Sequence, residues 1–312
     1  MHLADVCVKV SKVIYMKNKL KGIASLVLAT VIWGSAFIAQ SIGMDYIGPF
    51  TFQAVRCFMA VIGLLVTILI ADCFQKDGKN FFSRWRDAAL WKAGALCAVP
   101  LFLAVNLQQV ALVSTDAGKS AFLTAMYIVL VPIIGILLRR KPSPAIIVSV
   151  ILAVAGLYCL SCIGAEKISV GDLCLILCAF MFAVQITVVD HYAPHVDCLR
   201  LNLLQSLFCA IFSTIIMLIF EKPDLQAISM CVLPLSYAGF LSMGAAYSLQ
   251  IYGQKHIASA PASVIMSMES VFATVFGAWI LHESMTPWET IGCVLMFIAV
   301  LIAQIPPKGK AT

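Results

Sequence analysis

Two ionisable side chains fall where a hydrophobic chain can least accommodate a charge. Glu269 lies roughly seven to nine residues into an apolar run that starts near residue 260, and Arg56 lies about two turns into another that starts near residue 50. Holding a full charge at membrane depth costs about 2.5–3.5 kcal/mol on insertion scales, so such a residue is by default a functional candidate. Glu269 is a candidate proton carrier or partner for a cationic substrate. The alternative is a structural carboxyl that ties its helix to a neighbour. Arg56 is a candidate anion contact or gating residue, against an interfacial anchor whose long side chain snorkels outward. Uncharged polar residues recur at helical spacing around them. Asn106 and Gln109 share one face with Gln108 on another, and Tyr247, Gln250 and Gln254 follow i, i+3, i+7. Amides inside a bilayer must find partners in the protein interior or in a wet cavity, so these residues predict either interhelical glue or a polar substrate cavity. Gln40 and Gln185 are of the same kind. Trp33 and Tyr127 carry a polar tip on an aromatic body, which suits the wall of a small-molecule site.

The elements that hold these residues follow from composition. Of 312 residues, 62% are hydrophobic and 12% charged, with mean hydropathy +1.00. That balance excludes a soluble enzyme, a disordered chain and a nucleic-acid-binding domain. Apolar runs predict ten membrane helices at about 22–42, 50–71, 91–113, 119–138, 145–163, 171–189, 199–220, 231–253, 260–281 and 287–305, each near the length that a bilayer core requires. Turn and cap signals such as Gly48-Pro49, Gly171-Asp172 and Thr286-Pro287 separate them. The basic stretch before residue 22 leads into a retained first helix rather than a cleaved signal peptide. Met16 reads as a natural start, which makes residues 1–15 a dispensable extension.

With the N-terminus cytoplasmic, 17 Lys and Arg residues fall in inner segments and only Lys119, Lys167 and Lys222 in outer ones. The positive-inside rule therefore puts both termini in the cytoplasm. The second half of the chain repeats the first. At an offset of 149, Gly34 pairs with Ala183, Gln53 with Asn202 and Arg56 with Gln205; at 142, Gln108 pairs with Gln250 and Tyr127 with Glu269. Five spans per copy is an odd number, so the second copy enters the membrane upside down. The expected architecture is an all-α polytopic membrane protein of ten transmembrane helices in two inverted five-helix repeats. Its segments are a cytoplasmic N-terminal stretch (1–21), the two repeats (22–163 and 171–305) and a cytoplasmic tail (306–312). Inverted repeats are typical of secondary transporters, whose sites lie near the midplane between the halves.

Several stretches carry a resemblance: Ala29-Thr-Val-Ile-Trp-Gly-Ser-Ala-Phe37, Phe52-Gln-Ala-Val-Arg56, Ala117 to Met126, Ser267-Met-Glu269-Ser-Val-Phe272 and Gly292-Cys-Val-Leu295. In order, spacing and duplication the chain resembles EamA-type transporters of the drug/metabolite transporter superfamily. The resemblance implies a central cavity worked by alternating access. Family members move amino acids, other metabolites, nucleotide-sugar-like solutes or toxic compounds, commonly outward in bacteria. Ser270 departs from the family pattern, where proline often follows the glutamate, and so predicts a less kinked ninth helix.

The candidate substrate cavity comprises Trp33, Asn106, Gln109, Tyr127, Gln185, Tyr247, Gln250 and Glu269, with Glu269, Arg56 and Gln205 as coupling or gating residues. The expected function is secondary active transport of a small polar or amphipathic metabolite, an amino acid or related compound, by an exporter in the plasma (inner) membrane. A proton-coupled multidrug exporter is the alternative. No cofactor, metal or nucleic acid is expected; the partners are a small-molecule substrate, the lipid bilayer and, as an option, a second copy in a homodimer. No GxxxxGK[ST] loop is present, so ATP is not hydrolysed by that route. The five His lie in loops or at helix ends, which disfavours an intramembrane enzyme. Cys159-Leu-Ser-Cys162 lacks the further ligands of a zinc site. Most of the twelve Cys sit in apolar runs as small hydrophobes.

Overall fold

The computed structural model describes residues 2–74, 81–161, 169–280 and 286–305, and the regular structure among them is helical throughout. The basic residues Lys76, Lys79, Lys167, Lys308 and Lys310, together with Cys162, lie outside the described residues. Ten long helices follow in order: α1 (His2–Met44), α2 (Pro49–Phe74), α3 (Ala88–Ala111), α4 (Ala117–Leu137), α5 (Pro144–Ser161), α6 (Val170–Tyr192), α7 (Cys198–Phe220), α8 (Val232–Gln254), α9 (Ser259–Ile280) and α10 (Pro287–Ala303). Eight of them contain a stretch long and apolar enough to cross a membrane, and α5 and α10 are shorter apolar helices. The first helix begins some twenty residues before the expected boundary. No Gly or Pro interrupts residues 2–21, so nothing in the backbone stops the helix from extending past its apolar part.

Local signals set the ends. The side chains of Asp87 and Asp197 accept the first free amides of α3 and α7, and Ser169–Asp172 and Thr286–Glu289 form reciprocal capping boxes on α6 and α10. Helix α8 winds as a π-helix over Tyr237–Ala246, a geometry that recurs at functional sites. Asn202 on α7 supports it by donating to the Met243 and Gly244 carbonyls at 3.1 and 2.8 Å.

Helices α4 and α9 are each broken in the middle, at Met126 and at Ser267–Met268. The ninth helix is therefore interrupted despite having Ser270 rather than proline, contrary to the straighter helix expected. Tight i→i−3 bonds replace the α-helical ones there: Met268 N donates to Ile265 O at 3.1 Å and Ser270 N to Ser267 O at 3.2 Å. The Ser263 and Ser267 hydroxyls also bond back to carbonyls three residues earlier, which loosens a helix.

The two halves pack by a pseudo-two-fold rule. Helix α2 packs on α7 and α5 on α10; α3 packs on α6 and α7, matched by α8 on α1 and α2. Repeat mates run antiparallel. Phe50 at the start of α2 meets Phe220 at the end of α7, while Asp72 near the end of α2 binds Arg200 near the start of α7. On α5 and α10, a Cβ at Gly156 would touch Met296 and one at Gly292 would touch Leu160, so positions advance in opposite directions. A Cβ at Gly156 would also approach the Gly292 carbonyl to 2.9 Å, so glycine is needed for this close crossing. Ten helices in two inverted repeats of five are thus fixed by packing. Large side chains such as Ile62, Leu69, Ile151 and Phe297 point outward along the spans, as the bilayer requires.

Candidate functional site

Between the halves lies a partly open cavity bordered by α1, α2, α3, α4, α6, α8 and α9. Its apolar walls are Trp33, Phe37, Phe182, Ile186 and Met266. Trp33 and Tyr247 meet edge to face with ring centroids 5.0 Å apart, a geometry favoured by the ring quadrupoles. The polar lining comes from Gln40, Arg56, Gln108, Thr124, Tyr127 and Ser242, with Gln250 and Glu269 completing it.

Glu269 is 5% exposed and opens the second half of the broken α9. Tyr127 opens the second half of α4 and donates its hydroxyl to Glu269 Oε1 at 3.0 Å. These residues are repeat mates, separated by 142 positions, so the bond joins the same place in the two halves and lies where the pseudo-two-fold axis passes. Broken helices that present half-helix termini near the midplane are a recurrent way to build a binding site inside a membrane bundle.

Arg56 is 2% exposed and lines the cavity rather than reaching for an interface. Its guanidinium donates to Gln40 Oε1 and its Nε has no partner. Among the described residues no carboxylate lies within ion-pair distance of Arg56 and no basic side chain within that distance of Glu269. A buried ionisable group without a counter-ion is costly to charge, and here a guanidinium and a carboxyl border one space.

The amides divide into two groups. Gln108 lines the cavity and donates to Thr124 Oγ1 at 3.2 Å. Gln250 also lines it, donating to Gln185 at 3.1 Å and to Gln254 at 3.0 Å, while its own Oε1 is buried without a partner. Gln185 and Gln205 stand behind, joined at 3.4 Å, and Gln205 continues to Asn202 at 2.9 Å. Asn106 and Gln109 are placed outside the cavity. Asn106 bonds Ser213 on α7 at 2.9 Å, and Gln109 donates to the Gln40 carbonyl at 3.3 Å. Both are interhelical ties.

Gln40 and Gln108, two of the amides considered with the candidate cavity but not placed in it, line it, and so do Thr124 and Ser242, which sequence reasoning misses. For Gln108 a signal was present: it pairs with Gln250 in the repeat. Ser242 had none, because the π-helical stretch changes which side of α8 faces inward. Among the described residues no three His, Cys, Asp or Glu side chains converge as metal ligands would.

Comparison with known proteins agrees with this geometry. The sequence model of the EamA-like transporter family matches residues 20–162 and again 169–304. An uncharacterized transporter of Archaeoglobus fulgidus is 31% identical over 281 residues, which is 90% of this chain and 84% of that protein. The uncharacterized transporter YoaV of Bacillus subtilis is 22% identical over 284 residues, 88% of this chain and 94% of that one. A solved crystal structure superposes with a TM-score of 0.75 at 17% identity, covering 93% of this chain and 96% of its own, a likeness of fold. A double family match on two antiparallel five-helix units leaves one conclusion: this chain belongs to the EamA-like transporter family, within the drug/metabolite transporter superfamily, and is a membrane transporter.

Proposed function

We propose that the chain is a secondary active transporter that carries a small zwitterion with an apolar side chain, an amino acid or close relative, through the central cavity by alternating access. One observation carries the reading: the Arg56 guanidinium and the Glu269 carboxyl, each without a counter-ion, border the same aromatic-walled space. A carboxylate on the solute completes Arg56, with the free Nε and the indole N–H of Trp33 as donors. An ammonium group completes Glu269, and the rings of Trp33, Phe182 and Tyr247 pack on the apolar remainder. The end of the bundle rich in Lys and Arg faces the cytoplasm of a plasma membrane, and net movement is outward.

Thermal-shift screening of the purified protein against amino acids and related metabolites tests this, followed by counterflow of the labelled hit in liposomes. A hit lost in Arg56→Gln and Glu269→Ala but kept in a loop substitution such as Lys222→Ala supports the reading. Equal retention in all three overturns it, and linear conductance in place of saturable exchange would indicate a channel.

A second reading, proton-coupled export of cationic compounds, is favoured by the lack of a basic partner at Glu269. Under it, Glu269→Gln abolishes uphill efflux and leaves downhill exchange intact, and Arg56→Gln has little effect.

A further inference from the structure

Symmetry separates the contacts that hold this protein together from those that must change as it works. In an inverted-repeat carrier the two halves exchange conformations when access switches sides. A contact present at both of its symmetry-related places in one conformation survives that exchange. A contact that depends on a helix spacing found at only one of them does not.

Several polar and steric clasps occur twice. Asp72 binds Arg200 near the basic end of the α2–α7 seam, and Glu221 binds the Phe50 and Thr51 amides and the Thr51 hydroxyl at the other. At the offset of 149, Asp72 corresponds to Glu221 and Thr51 to Arg200. The seam is thus fastened at both ends at once. Likewise a Cβ at Gly22 would meet Gly253, His256 and Ile257, and one at Gly171 would meet Ala111, Ser114 and Thr115, which are the equivalent positions.

The amide bridge between α6 and α8 is different. Gln254 Nε2 donates to the Ile186 carbonyl at 2.8 Å, and Gln250 Nε2 donates both to Gln254 Oε1 and to Gln185 Oε1. At this end α6 packs on α8 more closely than their mates α1 and α3 pack at the other. The positions equivalent to Gln254 and Gln185, Leu112 and Ala36, have no side-chain polar atom, and the tie there is a single bond from Gln109 to the Gln40 carbonyl. The bridge runs from Gln250, on the cavity wall, toward the basic end of α8, where Gln254 is its last residue. It is built from neutral hydrogen bonds, which are easily remade.

We propose that Gln254, with Gln250 and Gln185, is the gate that closes the cavity at the basic end of the bundle. This rests on the proposal above that the cavity is the solute path. The free Oε1 of Gln250 faces the same problem as Arg56, a buried polar atom without a partner. A donor on the solute that engages it pulls on the amide that holds Gln254, so occupancy and opening are linked through one side chain.

The test needs no knowledge of the solute. Ser242→Cys places a thiol on the cavity wall, and a membrane-impermeant methanethiosulfonate is applied to sealed vesicles of either orientation. Modification at residue 242 is read by peptide mass spectrometry, so the native cysteines do not interfere. With the gate intact, modification comes mainly from the face opposite the basic end. Gln254→Leu or Gln250→Leu raises modification from the basic face by about tenfold, the shift expected when a closure held by a few neutral hydrogen bonds loses them. In a second variant, Gln185→His/Gln250→His, Zn²⁺ suppresses basic-face modification and EDTA restores it. Basic-face modification that is unchanged in the leucine variants and indifferent to Zn²⁺, with residue 242 still reached from the other face, overturns the gate alone. A residue 242 that is unreachable from both faces in every variant overturns the solute path itself, and the gate with it.

Discussion

Arg56 and Gln205 occupy the same place in the two repeats and do opposite things. Arg56 borders the cavity with one amide partner and a free Nε. Gln205 is buried behind the cavity wall, held between Gln185 and Asn202. The surrounding scaffold is nearly the same in both halves, down to the glycines that allow α1 to approach α8 and α6 to approach α3. Duplication has therefore been kept for packing and for the clasps of the α2–α7 seam, and abandoned for polar chemistry around the cavity. A carrier gains from that arrangement: symmetric packing makes its two conformations similar in energy, and asymmetric chemistry gives it one site.

The comparison can be broken in four places. Gln205→Arg puts a guanidinium into a fully buried amide network without a carboxylate. It should cost about 3–5 kcal/mol, the range for an uncompensated buried charge, and lower the melting temperature in detergent sharply. Wild-type melting would mean that the second half tolerates the charge carried by the first. The two seam clasps differ next. Asp72→Asn strips Arg200, itself 3% exposed, of its main carboxylate partner and should cost about 3 kcal/mol. Glu221→Gln weakens only the capping of two amides and a hydroxyl, for about 1 kcal/mol. Chemical denaturation of the two variants side by side gives the ranking, and equal losses would contradict it.

Arg56→Gln makes the first repeat resemble the second. Affinity for a carboxylate-bearing hit should fall by about 30–100-fold, equivalent to about 2–3 kcal/mol for a hydrogen bond to a charged group. Melting without ligand should hold or rise, because an unpaired buried charge has gone. A fall in both would make Arg56 a structural residue. The smallest pair concerns Gly34 and its mate Ala183. A Cβ at Gly34 would lie 2.5 Å from Phe272 Cβ, so Gly34→Ala should cost about 1–3 kcal/mol by overpacking. Ala183→Gly should cost only about 1 kcal/mol of helix propensity. Thermal unfolding of the pair would show whether the close α1–α9 approach belongs to one half only.

Much of the fold is legible in the residues. Apolar runs of bilayer length, separated by capping pairs such as Ser169–Asp172, announce the helices, and the pairings Tyr127–Glu269 and Gln108–Gln250 announce the repeat. The cavity is less legible. Asn106 and Gln108 are both amides on α3, two residues apart, yet the first ties α3 to α7 and the second lines the cavity. Helical periodicity separates the two faces without saying which neighbour each face meets. Ser242 is hidden for another reason, because a π-helical stretch shifts the register on which periodicity relies. The break in α9 shows the same limit: the serine hydroxyls that loosen the helix are visible, but they bond back to it only in a particular local geometry.

The sequence by itself determined that this is a membrane protein of ten helices in two inverted copies, because span length, charge placement and internal repetition are properties of residues in order. Tertiary structure alone decided that Arg56 and Glu269 border one cavity, that Tyr127 bonds its own repeat mate, and that Gln254 closes a bridge which its counterpart Leu112 cannot. Each of these depends on which helix faces meet across the pseudo-two-fold axis. That choice is made by close packing at small residues such as Gly22, Gly34 and Gly156, and no spacing along a single helix encodes it.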